Sequence, residues 1–132
     1  MAQLKIAAAE MVARARRQIL EMETQDLMAR LGEEGLVIVD IRDVRERARA
    51  GWIPGSFHAP RGMLEFWVDP ESPYHKPIFG GTDKSFVFHC ASGWRSALST
   101  LTLREMGFDA AHLREGFQGW VAAGGPVETG SD

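Results

Sequence analysis

Apolar positions early in the chain recur at spacings of three and four: Leu4, Ala8, Met11, Ala15, Ile19 and Met22. That spacing predicts an amphipathic helix over residues 3–22, with Lys5, Arg14, Arg17 and Glu21 on its other face. Such a helix packs on the domain or on a second subunit. A membrane-surface or targeting role is the other reading, and Glu10, Glu21 and Glu23 weaken it. Thr24 then reads as a fresh N-cap, opening a short helix that ends near Leu31-Gly32. Leu36-Val37-Ile38-Val39-Asp40 is a continuous apolar run, the pattern of a strand buried on both faces.

Asp43-Val44-Arg45-Glu46 reads as a capping box that opens a helix through Ala50, with Gly51 past its end. Ile53-Pro54-Gly55-Ser56 is a turn, and residues 60–84 form a long irregular segment holding Pro70, Pro73, Pro77, Gly80 and Gly81. A loop of that length is either functional or packed on the surface. Phe86–His89 is a second strand, Ala97–Met106 a helix closed by Gly107, Ala110–Leu113 a third strand, and Phe117–Ala123 a last helix. Strands alternating with helices predict an α/β fold with a mostly parallel sheet and helices on both faces, plus the extra N-terminal helix. The expected organisation is a helical extension over 1–22 and one domain over 23–132.

Composition narrows the partners. A chain that is 45% hydrophobic and 25% charged reads as an ordinary globular protein, and a net charge of −3 gives no reason to expect nucleic acid. No apolar run is long enough to span a bilayer, so no membrane partner is expected. The start of the chain is a poor secretory signal, because Glu10 and then Arg14-Ala15-Arg16-Arg17 interrupt the short apolar stretch. The single cysteine excludes an internal disulfide and suits a reducing compartment, so the cytoplasm is the expected location. His58, His75, His89 and His112 lack metal-ligand spacing, and neither a metal nor another cofactor is expected.

That cysteine, Cys90, stands where an apolar strand runs into Ala91-Ser92-Gly93-Trp94-Arg95-Ser96 and then a helix. A lone cysteine after a strand is either a packing residue or a reactive one. The small residues let the backbone curl so that several N–H groups face one point, and Arg95 and the following helix N-terminus add positive potential there. Such a setting favours the nucleophilic thiolate.

Three separated motifs now carry a resemblance. They are Asp40-Ile41-Arg42 with Gly51-Trp52-Ile53-Pro54-Gly55-Ser56, the loop Cys90–Ser96, and Leu113-Arg114-Glu115-Gly116-Phe117-Gln118-Gly119-Trp120 with Gly124, Pro126 and Val127. Over residues 24–128 the chain resembles the single-domain rhodaneses, sulfurtransferases in which the loop cysteine takes a sulfur atom as a persulfide and passes it to an acceptor. The resemblance implies that Cys90 is the carrier and that residues 91–96 bind the anion. Its small substrates would be a sulfur donor, thiosulfate or a thiol persulfide, and a thiol or cyanide acceptor. The phosphatases that share this fold place five residues between cysteine and arginine, whereas four intervene here, a loop sized for sulfur rather than phosphate.

Trp52 replaces the histidine usual in the family's turn, which implies altered packing rather than altered chemistry. Family members efficient with thiosulfate carry basic loop residues, but Ala91, Ser92 and Trp94 are uncharged. This argues against a thiosulfate preference and favours a thiol or protein-bound persulfide. The alternative function is a carrier or interaction module relaying sulfur between partner proteins, with Trp94 as its anchor.

For Arg95 two roles are open, facing the anion or pairing with a carboxylate such as Asp40, itself expected to be structural. Ser96 caps the next helix or contacts substrate. Arg42 reaches the site rim or makes a surface ion pair, and Arg61 is a candidate for extra positive charge at the loop. Met63, Leu64, Phe66 and Trp67 cover the core or wall the cleft. A homodimer through the N-terminal helix is a further expectation.

Overall fold

The computed structural model describes residues 3–130. Five parallel strands form one sheet in the order β1-β5-β4-β2-β3: β1 Leu20–Met22, β2 Leu36–Asp40, β3 Phe57–His58, β4 Ser85–His89 and β5 Ala111–Leu113. The helices are α1 Ala8–Arg16, α2 Thr24–Arg30, α3 Val44–Ala50, α4 Leu64–Val68, α5 Trp94–Glu105 and α6 Gly116–Ala122.

Alternate residues of the central strands feed two cores, as a strand's two-residue period requires. Val39, Phe86 and Phe88 pack with Leu64 and Val68 of α4, Phe79, and Leu103 of α5. Ile38, Val87 and Leu113 pack on the other side with Leu27 of α2 and with Phe117 and Trp120 of α6. The fold is therefore the expected parallel α/β sheet with helices on both faces. Val12 and Ala15 of α1 pack against Ala97 on the outside of α5, so the N-terminal helix rides on the domain.

The long N-terminal helix is the largest correction. Only Ala8–Arg16 is helical; Leu4 is exposed, and Gln18 N–H closes a turn on the Ala15 carbonyl. The chain then enters β1, whose residues pair with Ala111, His112 and Leu113. A free sheet edge offers backbone partners that outweigh helix propensity, and three residues suffice to use them. β3 pairs with the end of β2 through two residues and was too short to read as a strand.

Segment 60–84 contains α4 and 3₁₀ turns at Arg61–Met63 and Pro77–Phe79. Within it Leu64 is buried and Trp67 leans on Phe57, their ring centres 6.2 Å apart, so both cover the core. Phe66 faces outward against Tyr74. Trp120 is buried and donates its indole N–H to the Pro126 carbonyl at 2.8 Å. Trp52 bridges to Glu128 and lies under the Arg47 guanidinium.

β2 continues through α3 to β3 on one side, whereas β4 continues through α5 to β5 on the other. The chain thus diverges between β2 and β4, and a crevice opens beyond the carboxyl ends of such strands. Asp40 and His89 are register partners there, and Cys90 follows at once.

Candidate active site

Gly93 turns the loop: its φ of 96° is left-handed, and a Cβ at this position would strike the Arg114 carbonyl oxygen and the Arg16 guanidinium. With the backbone so turned, Gly93 N–H donates to Cys90 Sγ at 3.1 Å and Ser96 N–H at 3.4 Å. The loop is anchored from outside as well. Phe117 N–H and Gln118 N–H, from the first turn of α6, donate to the carbonyls of Cys90 and Ala91. Gly116 allows this approach, since a Cβ there would lie 2.5 Å from the Ala91 oxygen. The third motif is therefore the clamp that holds the second.

Burial works to raise the Cys90 thiol. Its hydrogen bond with the Ser96 hydroxyl and those from the Ser96, Gly93 and Ser92 amides outweigh it, holding the thiol below its ordinary value. The side chain is 0% exposed and belongs to the buried apolar cluster. Burial alone fits a packing cysteine; amides converging on its sulfur fit an anion.

Arg95 forks onto Glu46, Nη1 to Oε1 at 2.9 Å and Nη2 to Oε2 at 3.2 Å. Its pKa is raised by this pair, burial works against it, and the charge of Cys90 adds to the rise. Of the two expected roles, the structure shows the carboxylate pair, and its partner is Glu46 rather than Asp40. Glu46 is correspondingly absent from the capping box: Asp43 caps α3 by accepting from Arg45 N–H, while the Glu46 side chain crosses to the loop.

Asp40 is fully buried at the end of β2. Arg42 grips it from Nε at 3.0 Å and Nη2 at 2.8 Å, and Arg47 Nη1 joins at 3.1 Å. Burial would raise the Asp40 pKa; the Arg42 hydrogen bonds and nearby positive charges bring it down to about 2. Arg42 is 2% exposed, donates to the Gly51 carbonyl and stacks over Phe117 at 4.2 Å. It forms neither a rim contact nor a surface pair, because it is buried with its Nε and Nη2 turned inward onto Asp40 and the Gly51 carbonyl. Arg61 does not join the loop: it is exposed in a groove with Met11, Leu98, Ser99 and Glu105, which none of residues 90–96 lines.

Ser96 is a correction too. It sits in the third position of α5, after Gly93 as N-cap, and its hydroxyl does not cap the helix. Instead Oγ lies 3.6 Å from Cys90 Sγ and 2.8 Å from His112 Nδ1. His112 and its partner Glu21 carried no local signal, since they meet across two strands ninety-one residues apart. Among the described residues, no group of three or more His, Cys, Asp or Glu side chains is placed to hold a metal ion. Nor, among them, is any helix long and apolar enough to cross a membrane.

The parallel α/β domain thus places an amide-lined cysteine loop at the switch point of its sheet. The chain belongs to the rhodanese-like domain family, whose model matches residues 23–123. It is 32% identical over 104 residues to "Putative sulfurtransferase YtwF" of Bacillus subtilis (strain 168), covering 78% of this chain and 91% of that protein. A Rhodopseudomonas palustris structure, described as a protein of unknown function and possible tyrosine phosphatase, is 49% identical. It covers 97% of this chain and 98% of its own, with a TM-score of 0.91. A thiosulfate sulfurtransferase from Pseudomonas aeruginosa is 28% identical, covering 94% of this chain but 23% of its own, with a TM-score of 0.74.

Proposed function

We propose that the protein is a sulfurtransferase that carries sulfane sulfur on Cys90. The observation that bears most weight is the convergence of the Gly93 and Ser96 amides on Cys90 Sγ, which supports a thiolate and its persulfide. With thiosulfate, the Cys90 thiolate attacks the outer sulfur. A new S–S bond forms to Cys90, the sulfur–sulfur bond of the donor breaks, and sulfite leaves with the bonding pair. An acceptor thiolate or cyanide then takes the terminal sulfur, and the Cys90 thiolate returns. Ala91–Ser96 surround the anion, Arg95 contributes positive potential, and Asp40 with Arg42 supports the floor.

Solvent does not reach Cys90 in this conformation, so loading requires the Ser92–Trp94 rim to yield. That rim is uncharged, and Trp94 is 48% exposed on it. Both features favour a thiol or protein-bound persulfide over a small dianion. They also support the carrier reading, in which a partner protein supplies the sulfur. The four-residue spacing to Arg95 favours sulfur over phosphate.

Thiocyanate production from thiosulfate and cyanide, beside thiol-persulfide donors, tests the activity. Turnover with a persulfide donor but little with thiosulfate is expected. Failure of every donor to add sulfur to Cys90 would sink the reading.

A further inference from the structure

Behind Cys90 and Ser96 runs a line of polar groups whose far members, His112 and Glu21, the sulfur chemistry above does not use. Cys90 Sγ is 3.6 Å from Ser96 Oγ, which is 2.8 Å from His112 Nδ1, and His112 Nε2 is 2.9 Å from Glu21 Oε2. His112 is fully buried, whereas Glu21 keeps about a quarter of its side chain in solvent (23%). Arg16 Nη1 stands 3.6 Å from that same Glu21 oxygen, and its Nη2 donates to the Arg114 carbonyl beside Gly93. Arg16 and Glu21 precede the segment that matches the family model.

The carboxylate fixes the tautomer. Nε2 facing Glu21 carries the hydrogen, so Nδ1 is left as an acceptor towards Ser96. The Ser96 hydroxyl therefore donates to Nδ1, and the Cys90 S–H donates to Ser96 Oγ. We propose that His112 is a positioning residue that receives the Cys90 proton through the Ser96 hydroxyl, with Glu21 holding the resulting imidazolium. The transfer balances without moving a heavy atom: the S–H proton passes to Oγ as the hydroxyl proton passes to Nδ1. It leaves a thiolate that accepts from Ser96 O–H, and an imidazolium that donates from both nitrogens.

The groups facing His112 act in opposite directions. Burial lowers its proton affinity, Glu21 raises it, and Arg16 lowers it. Ser96 from α5 is neutral, and Phe88, the register partner of His112 on β4, is apolar. The thiolate is the remaining charge on the line. Cys90 and His112 accordingly titrate as a coupled pair.

The inference deepens the Cys90 reading and rests on it for its use, but its test needs no sulfur donor. The single cysteine allows its ionisation to be followed by the ¹³Cβ shift, and the His112 ring by ¹⁵N shifts, in the intact chain. Glu21→Gln keeps an acceptor for Nε2–H and removes the charge, so it should move Cys90 ionisation up by about one unit. Cys90→Ser should move His112 protonation to lower pH, because the thiolate that favours the imidazolium is gone. A Glu21→Gln titration that superimposes on the parent, or a His112 titration unmoved by Cys90→Ser, overturns the relay. If Glu21→Gln fails to fold, the comparison with Cys90→Ser decides alone. Coupled titrations with no sulfur loading would keep the relay and remove the sulfurtransferase reading. Loading with independent titrations would do the reverse.

Discussion

Gly93 and Gly116 show how narrowly the loop is specified at single residues. Gly93 has a φ of 96° and no room for a Cβ beside the Arg114 carbonyl. Gly93→Ala should cost about 1–2 kcal/mol for the left-handed backbone alone, with the collision added to it. Urea denaturation reads the loss of stability, and sulfur loading should fall further than stability, because the Gly93 N–H is displaced from Sγ. Arg95→Lys separates geometry from charge. Its pair with Glu46 is partly exposed, so stability should change by no more than about 1 kcal/mol. Lysine cannot fork onto Glu46, and the rate of sulfur loading should fall. An unchanged loading rate in Arg95→Lys would contradict the assigned role.

Asp40 couples elements rather than residues, tying the end of β2 to α3 and to the turn after it through Arg42 and Arg47. Asp40→Asn removes the counter-charge that buried Arg42 grips and should cost about 3–5 kcal/mol, read from the denaturation midpoint. At this scale the sequence was most informative where signals were local. The apolar runs of β2 and β4, the glycine stops at Gly51 and Gly107, and the loop beginning at Cys90 were all legible. What escaped was decided across the sheet. β1 looks helical in its own sequence and becomes a strand because β5 offers it an edge. Glu46 looks like a local cap and instead meets Arg95 from forty-nine residues away. His112 and Glu21 sit on different strands, and nothing near either one announces the other.

Across the whole molecule, buried titratable groups set the pH range of stability. Burial lowers the pKa of His89, which is fully buried, so the native state favours its neutral form. Its contribution is complete above the unfolded value of about 6.5 and is lost as pH falls through the lower native value. Asp40 acts in the same direction but later. Its carboxyl lies at about 2 against 3.8, so its contribution holds above 3.8 and disappears as pH falls through about 2. That difference amounts to about 2 kcal/mol. The denaturation midpoint should therefore decline below about 6.5 and collapse only in strong acid. His89→Gln should flatten the first decline; a midpoint that rises on acidification would refute this assignment.

Intact-mass spectrometry of the protein after exposure to thiosulfate or a thiol persulfide tests the central claim most directly. The expected result is a gain of one sulfur atom on Cys90, lost on adding cyanide or a thiol and absent in Cys90→Ser. A Cys90 that takes no sulfur from either donor, in a protein that remains folded, would contradict the account.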